Sequence, residues 1–177
     1  MFDFLPSCIV MQNKLKVGFF SFTGCEGCIM VMIESLNYKY AEWGSLLEIK
    51  YARALKKKNE LDGDGGLDVA FIEGAISTFK EENLLRRIRK NAKKVIAIGS
   101  CAANGAPSSQ RNNFDEKTLA EIKPIMERFG HKEKVTPIGE HVKVDGVVNG
   151  CPMDEAAFVK AVEDALLEFG IRKKSEV

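Results

Sequence analysis

No stretch of this sequence is apolar over the roughly 20 residues that a membrane-spanning helix needs. The opening residues, Met1-Phe2-Asp3-Phe4-Leu5-Pro6, have no basic segment ahead of an apolar one, so no secretory signal is expected. No Arg-Arg pair near the start marks export of a folded protein. Neither sign of charge is in excess. The 26 Lys and Arg against 25 Asp and Glu leave a net charge of +1, which gives no electrostatic reason to expect nucleic acid as a partner. A cytoplasmic protein is the expectation. Histidine is scarce, and His131 and His141 lie on polar, lysine-rich stretches, where they read as solvated side chains rather than ligands. Cysteines number 5, an odd count for a disulfide framework. In an intracellular chain, spaced cysteines point instead to metal binding or redox chemistry.

What is present suits a single globular domain. A hydrophobic content of 45% over 177 residues can form a core, and wholesale disorder is not expected. Residues 1–14 read as an N-terminal arm that includes Cys8, and residues 15–177 as the domain. Residues 16–22 predict a buried strand. Residues 29–36 predict a helix with Ile29, Met32, Ile33 and Leu36 on one face. Further strands are predicted at 46–51, 67–72 and 94–98, with an irregular one at 142–148. Helices are predicted at 80–91, with a basic end suited to the helix dipole, and at 114–129, bent at Pro124. Pro152 is expected at the first position of a last helix, with Val159, Val162, Leu166 and Phe169 facing the core. The turn cluster Asp62-Gly63-Asp64-Gly65-Gly66 lacks the ligand spacing and terminal Glu of a calcium loop. This order of elements predicts an α/β fold, a flavodoxin-like doubly wound domain with a mainly parallel sheet.

The chemistry is carried by Thr23-Gly24-Cys25-Glu26-Gly27-Cys28, between the first strand and its helix. A lone CxxC fits a redox disulfide, half a zinc site or half a cluster site. The other cysteines decide. Cys101 follows the strand at 94–98 and Cys151 follows the strand at 142–148. Parallel strands put their carboxyl ends on one side of a sheet, so Cys25, Cys28, Cys101 and Cys151 can converge on one crevice. Four thiolates hold either a 4Fe–4S cluster or a zinc ion. Gly24, Gly27, Ser100, Ala102 and Gly150 flank the cysteines and let backbone amides approach cluster sulfurs. Cys151-Pro152 also matches the cysteine–proline ending of ferredoxin ligand runs. Zinc sites usually come as paired CxxC knuckles, whereas here the second pair is split between two loops. On chemistry alone the cluster is favoured and zinc stays open.

Thr23-Gly24-Cys25-Glu26-Gly27-Cys28, Glu73-Gly74-Ala75-Ile76, Gly99-Ser100-Cys101-Ala102 and Gly150-Cys151-Pro152 together resemble the small subunit of nickel–iron hydrogenases, in the family's order and over nearly all of the chain after Asn13. The related quinone-reductase subunit of respiratory complex I carries adjacent cysteines at its first ligand site, and the spaced pair here favours the hydrogenase branch. The resemblance implies one 4Fe–4S cluster on Cys25, Cys28, Cys101 and Cys151, beside a large subunit that holds the nickel–iron centre. Membrane-bound and periplasmic members carry a further cysteine-rich region. Its absence after the Cys151 helix implies the short cytoplasmic type, similar to NAD(P)-, sulfur- or deazaflavin-linked multisubunit hydrogenases. In the family, proline commonly follows the Glu-Gly-Ala-Ile segment, and Ser77 departs from this. Some relatives bind a flavin in this crevice. No distinct phosphate loop is present here, so flavin stays open.

The expected function is that of an electron-transfer subunit of a soluble nickel–iron hydrogenase, passing electrons between the large subunit and a further flavin or iron–sulfur subunit. The alternatives are a complex-I-like quinone oxidoreductase subunit and a zinc-stapled structural or assembly protein. Glu73 is the candidate proton relay at the subunit junction, against a plainer role of fastening its loop. Ile29, Met30 and Ile76 are expected at the partner contact, Met30 and Met32 as core or interface filler, and Trp43 as a packing anchor.

Overall fold

The computed structural model describes residues 13–59, 61 and 66–173. Residues 1–12 with Cys8, most of the turn cluster (62–65) and the last four residues lie outside them.

Five strands form a parallel sheet. They are β1 (Leu15–Ser21), β2 (Leu47–Ala52), β3 (Leu67–Glu73), β5 (Ala92–Ile98) and β7 (Gly146–Val148), in the order β2-β1-β3-β5-β7. This is the flavodoxin-like strand order, with its switch point between β1 and β3. Every residue of β3 is buried, as a central parallel strand covered on both faces requires.

Side-chain alternation assigns the two faces. Val17, Phe19, Val69, Phe71, Ile96 and Ile98 face α1 (Gly27–Tyr38) and α6 (Glu155–Glu168). Phe20, Ala70, Ile72, Val95 and Ala97 face α3 (Phe79–Asn91) and α4 (Gly99–Asn104). On the first face Phe71 stacks on Phe19 at 5.3 Å and meets Phe158 edge-on at 5.4 Å. The short helix α2 (Tyr40–Trp43) brings Trp43 into that core, and its indole N–H donates to Glu163 of α6 at 2.7 Å. Trp43 is thus the packing anchor expected of it.

Four expectations are corrected. Pro152 does not start the last helix. Asp154 is its N-cap and accepts from the Ala157 amide at 2.7 Å, which places Glu155 first and leaves Pro152 in the preceding turn. The core face of α6 is Phe158, Val162, Ala165 and Leu166, with Val159 and Phe169 only partly buried. His141 is not solvated. Its ring is 9% exposed, 2.7 Å from the Thr136 hydroxyl and close to Glu82. Burial and the Lys132 charge hold its pKa below the usual value. Lastly, Ile29 and Ile76 belong to this chain's own core, while Met30 is exposed and Met32 is fully buried.

The helix expected at 114–129 is present, and a small second sheet was not expected. An antiparallel pair, β4 (Ile76–Thr78) with β6 (His131–Thr136), stands beside the main sheet. Helix α5 (Glu116–Arg128) continues through Pro124 and has no buried residue.

Candidate metal centre

Each predicted ligand lies just past the carboxyl end of a main-sheet strand. Cys25 is on the loop after β1, and Cys28 is in the first turn of α1. Cys101 is in α4, which begins as soon as β5 ends. Cys151 follows β7 by a turn through Gly150, whose φ of 121° suits glycine alone. All four are free thiols, with Cys25 and Cys151 exposed and Cys28 and Cys101 buried.

Backbone bonds hold these loops together. The amides of Phe22 and Thr23 donate to the Glu73 and Ala75 carbonyls, and the Ala75 amide returns a bond to Thr23. The amide and hydroxyl of Ser100 both donate to the Gly150 carbonyl, at 2.8 and 3.0 Å. The Met153 amide donates to Cys28 Sγ at 3.4 Å, and the Ser108 hydroxyl to Cys101 Sγ at 3.2 Å. A side chain at Gly99 would place its Cβ 2.3 Å from Cys28 Sγ, so the closeness of these loops requires glycine there. Among the described residues, no three His, Cys, Asp or Glu side chains already stand in a closed metal-binding arrangement.

Burial pushes the Cys28 thiol up to about 11; the Met153 amide opposes this, and charge on Glu73, Cys25 and Cys101 adds to it. Redox cysteines of CxxC motifs are instead acidified to hold a thiolate at neutral pH. Cys28 on its own is therefore a poor nucleophile at neutral pH. The donor set suits an iron–sulfur cluster: thiols gathered from the ends of separate strands, with hydrogen-bond donors on the sulfurs of Cys28 and Cys101, a device that tunes cluster potentials.

Glu73 ends β3 and is 2% exposed. Its Oε2 accepts from the Ile29 amide at 3.2 Å, and the Glu26 and Cys28 amides also face the carboxylate. Glu26, the N-cap of α1, makes no side-chain cap bond and sits at φ 61°. Glu73 supplies the missing cap from a neighbouring strand. Burial raises its pKa, with the Glu26 charge adding to the effect and the amides resisting it. Ser77 is buried in β4, and its amide donates to Glu81 at 2.8 Å, a bond that a proline could not make. The signals that sequence reading passed over here are the Glu81 carboxylate and the Ser108 hydroxyl. Both contact motif residues only through the fold, and the capping-box pattern Thr78 to Glu81 was the one local clue.

A cleft of about 220 Å³ lies beside this edge, lined by Phe19, Ser21, Glu26, Ile29, Met32 and Arg53 among others. Small-molecule sites more often measure about 300–1,000 Å³.

Residues 25–165 match the model of the family described as NADH ubiquinone oxidoreductase, 20 Kd subunit. The chain belongs to this family. It is similar to a subunit of the F420-non-reducing hydrogenase (vhu) of Methanocaldococcus jannaschii, 31% identical over 86% of this chain and 55% of that protein. It is similar also to the iron-sulfur subunit of the F420-non-reducing hydrogenase of Archaeoglobus profundus, 27% identical over 84% of this chain and 55% of that one. The chain thus spans about half the length of these curated relatives. Among solved structures, a chain of an NAD+-reducing [NiFe]-hydrogenase in the H2-reduced state superposes with a TM-score of 0.67 at 27% identity, covering 88% of this chain and 93% of that one. The family's fold and its hydrogenase-subunit relatives agree with the resemblance seen in the motifs.

Proposed function

We propose that this chain is the electron-transfer subunit of a nickel–iron hydrogenase, with one 4Fe–4S cluster held by Cys25, Cys28, Cys101 and Cys151. The observation that carries the reading is the set of four free thiols past strand ends at one sheet edge, with amide and hydroxyl donors on two of the sulfurs. When bound, the cluster supplies one-electron chemistry. The chain's own residues hold and tune the site. The strand-end segments fix the ligands, Met153 and Ser108 donate to sulfur, and Ile29, Met32 and Met153 keep water from the inner side. The nickel–iron centre is placed on a large-subunit partner against the edge where Cys25, Met30 and Cys151 are exposed, and electrons pass to a further redox subunit. Glu73, buried and raised in pKa, is the group suited to hold a proton at that junction. The spaced Cys25 and Cys28, with relatives named as hydrogenase subunits, favour this over a quinone-linked subunit. Among the described residues no helix is long and apolar enough to cross a membrane, which is compatible with the cytoplasmic location proposed here. The small cleft gives flavin no positive support.

Metal and sulfide analysis of the protein purified without oxygen is the test. The expected content is about four iron and four sulfide per chain, with visible absorption that zinc would not give. Serine at any of the four ligand positions lowers it, whereas Cys8→Ser leaves it unchanged. Full occupancy in Cys151→Ser would overturn the assignment.

A further inference from the structure

The Thr23 side chain, two residues before Cys25, is tied to a part-buried polar cluster that none of the four ligands touches. Its hydroxyl donates to Glu81 Oε1 at 2.8 Å and lies 2.6 Å from the Ser77 hydroxyl. Glu81 Oε2 accepts from the Ser77 amide at 2.8 Å, the Thr78 amide at 2.9 Å and the Ser77 hydroxyl at 3.2 Å. One carboxylate therefore receives hydrogen bonds from both the Cys25 loop and the end of β4, where α3 starts. The guanidinium of Arg111 bridges β4 and its partner β6, donating to the Ser77 and Lys132 carbonyls.

Capping accounts for only part of this arrangement. Glu81 and Thr78 already form a complete capping box for α3, with Thr78 Oγ1 accepting from the Glu81 amide at 3.1 Å. The remaining oxygen, Oε1, is spent on the loop that carries Cys25. Backbone bonds to Glu73 and Ala75 fix the base of that loop at Phe22 and Thr23, and the Thr23 side chain adds a separate tie just before Cys25. Gly24 and Cys25 are exposed, and Glu26 sits in a left-handed conformation. Behind the loop, Gly74 approaches so closely that a Cβ there would lie 2.7 Å from the Phe22 carbonyl carbon.

We propose that Glu81 is a positioning residue for the iron–sulfur site, acting through the Thr23 hydroxyl to hold the Cys25 loop in its ligating place. The antiparallel β4–β6 pair and the α3 N-terminus then act as the rigid post to which this exposed ligand is fastened. The proposal rests on the cluster reading given above. Charge-assisted hydrogen bonds of this kind are the stronger ones, so losing one should be felt at the ligand rather than in the fold as a whole.

The test uses the full chain with its native partners, purified without oxygen, and follows iron release to a chelator together with the electron paramagnetic resonance signal of the reduced protein. Thr23→Val keeps the side-chain volume and removes the hydroxyl. It is expected to release iron about tenfold faster and to shift the resonance signal, with little change in thermal midpoint. Thr23→Ser restores the donor and is expected to behave as wild type. Thr78→Ala breaks the capping box without touching Thr23. It is expected to lower the thermal midpoint but to leave iron release unchanged. Equal release from Thr23→Val and wild type overturns the proposal, as does equal acceleration in Thr23→Val and Thr78→Ala. Wild-type protein without iron and sulfide would instead remove the cluster reading, and this inference with it.

Discussion

Glu73 caps α1 and is the proposed holder of a proton, and one substitution can separate the two roles. Its carboxylate caps α1 through the Ile29 amide, and it sits, buried, beside Cys28. Glu73→Gln keeps an acceptor for that amide and removes the titrating group. The expected outcome is an assembled complex with a normal cluster signal and hydrogen turnover slowed about a hundredfold, in line with the loss of a general acid–base group. Proton–deuterium exchange and dye-linked hydrogen oxidation, measured together, check this; unchanged rates in both would leave Glu73 as a helix cap. At this scale the sequence was informative where chemistry is carried by residue type. Cysteine and glycine at strand ends announced the loops, because few other residues have reason to recur there. The partners of Glu81 were not legible. Thr23 and Glu81 are 58 residues apart, and no local pattern links a hydroxyl to a carboxylate across that distance.

Among the elements, α3 is tied by ion pairs through Glu82 and Arg89, and these ties foretell an acid sensitivity. Hydrogen bonds from Lys132 and Arg86 hold Glu82 down at about 2. Burial would push Asp145 up, but the Val95 amide with Arg89 and Lys143 outweighs it and leaves its carboxyl at about 2 as well. Both groups bind protons less readily in the folded chain than in the unfolded one. The stability they add is therefore complete above about pH 4.5 and is lost as pH falls towards about 2. Asp145 joins α3 to β5 and to the segment entering β7, accepting from Arg89 and from the Val95 amide at 2.9 Å. Asp145→Asn is expected to cost about 2 kcal/mol at pH 7 and to flatten the decline of thermal midpoint with acid. Melting curves between pH 3 and pH 7 check both. Element prediction succeeded where period and burial agree, as in β1, β3 and β5. It failed for β6, whose residues His131-Lys132-Glu133-Lys134 are polar, with consecutive Glu133 and Lys134 both exposed, so no alternation marks a buried face there. It failed also at the start of α6. Proline is a favoured first residue, but the Asp154 side chain captured the helix N-terminus instead.

At the scale of the whole molecule, the parallel order of the sheet puts the cysteine-bearing loops at one edge, and the Phe19–Phe71–Phe158 cluster clamps α6 to its centre. Phe71→Ala is expected to lower stability by about 3–5 kcal/mol in a denaturant titration, since the ring is fully buried and surrounded by other large side chains. The doubly wound class was legible in the sequence because the strands at 16–22, 67–72, 94–98 and 142–148 each ran into a helix or a glycine-containing turn. The flavodoxin-like order was expected from that succession of elements and is the one found, although adjacency between β1 and β3 is set by packing on both faces rather than by any local signal.

The place of β7 has a temporal meaning. It is the last strand of the sheet to leave the ribosome, it pairs with β5 over only three residues, and the turn bearing Cys151 hangs from its end. During synthesis, Cys25, Cys28 and Cys101 are all in place while their fourth companion is still unmade. On the proposed assignment, a chain cut short before β7 therefore presents only three of the four ligands.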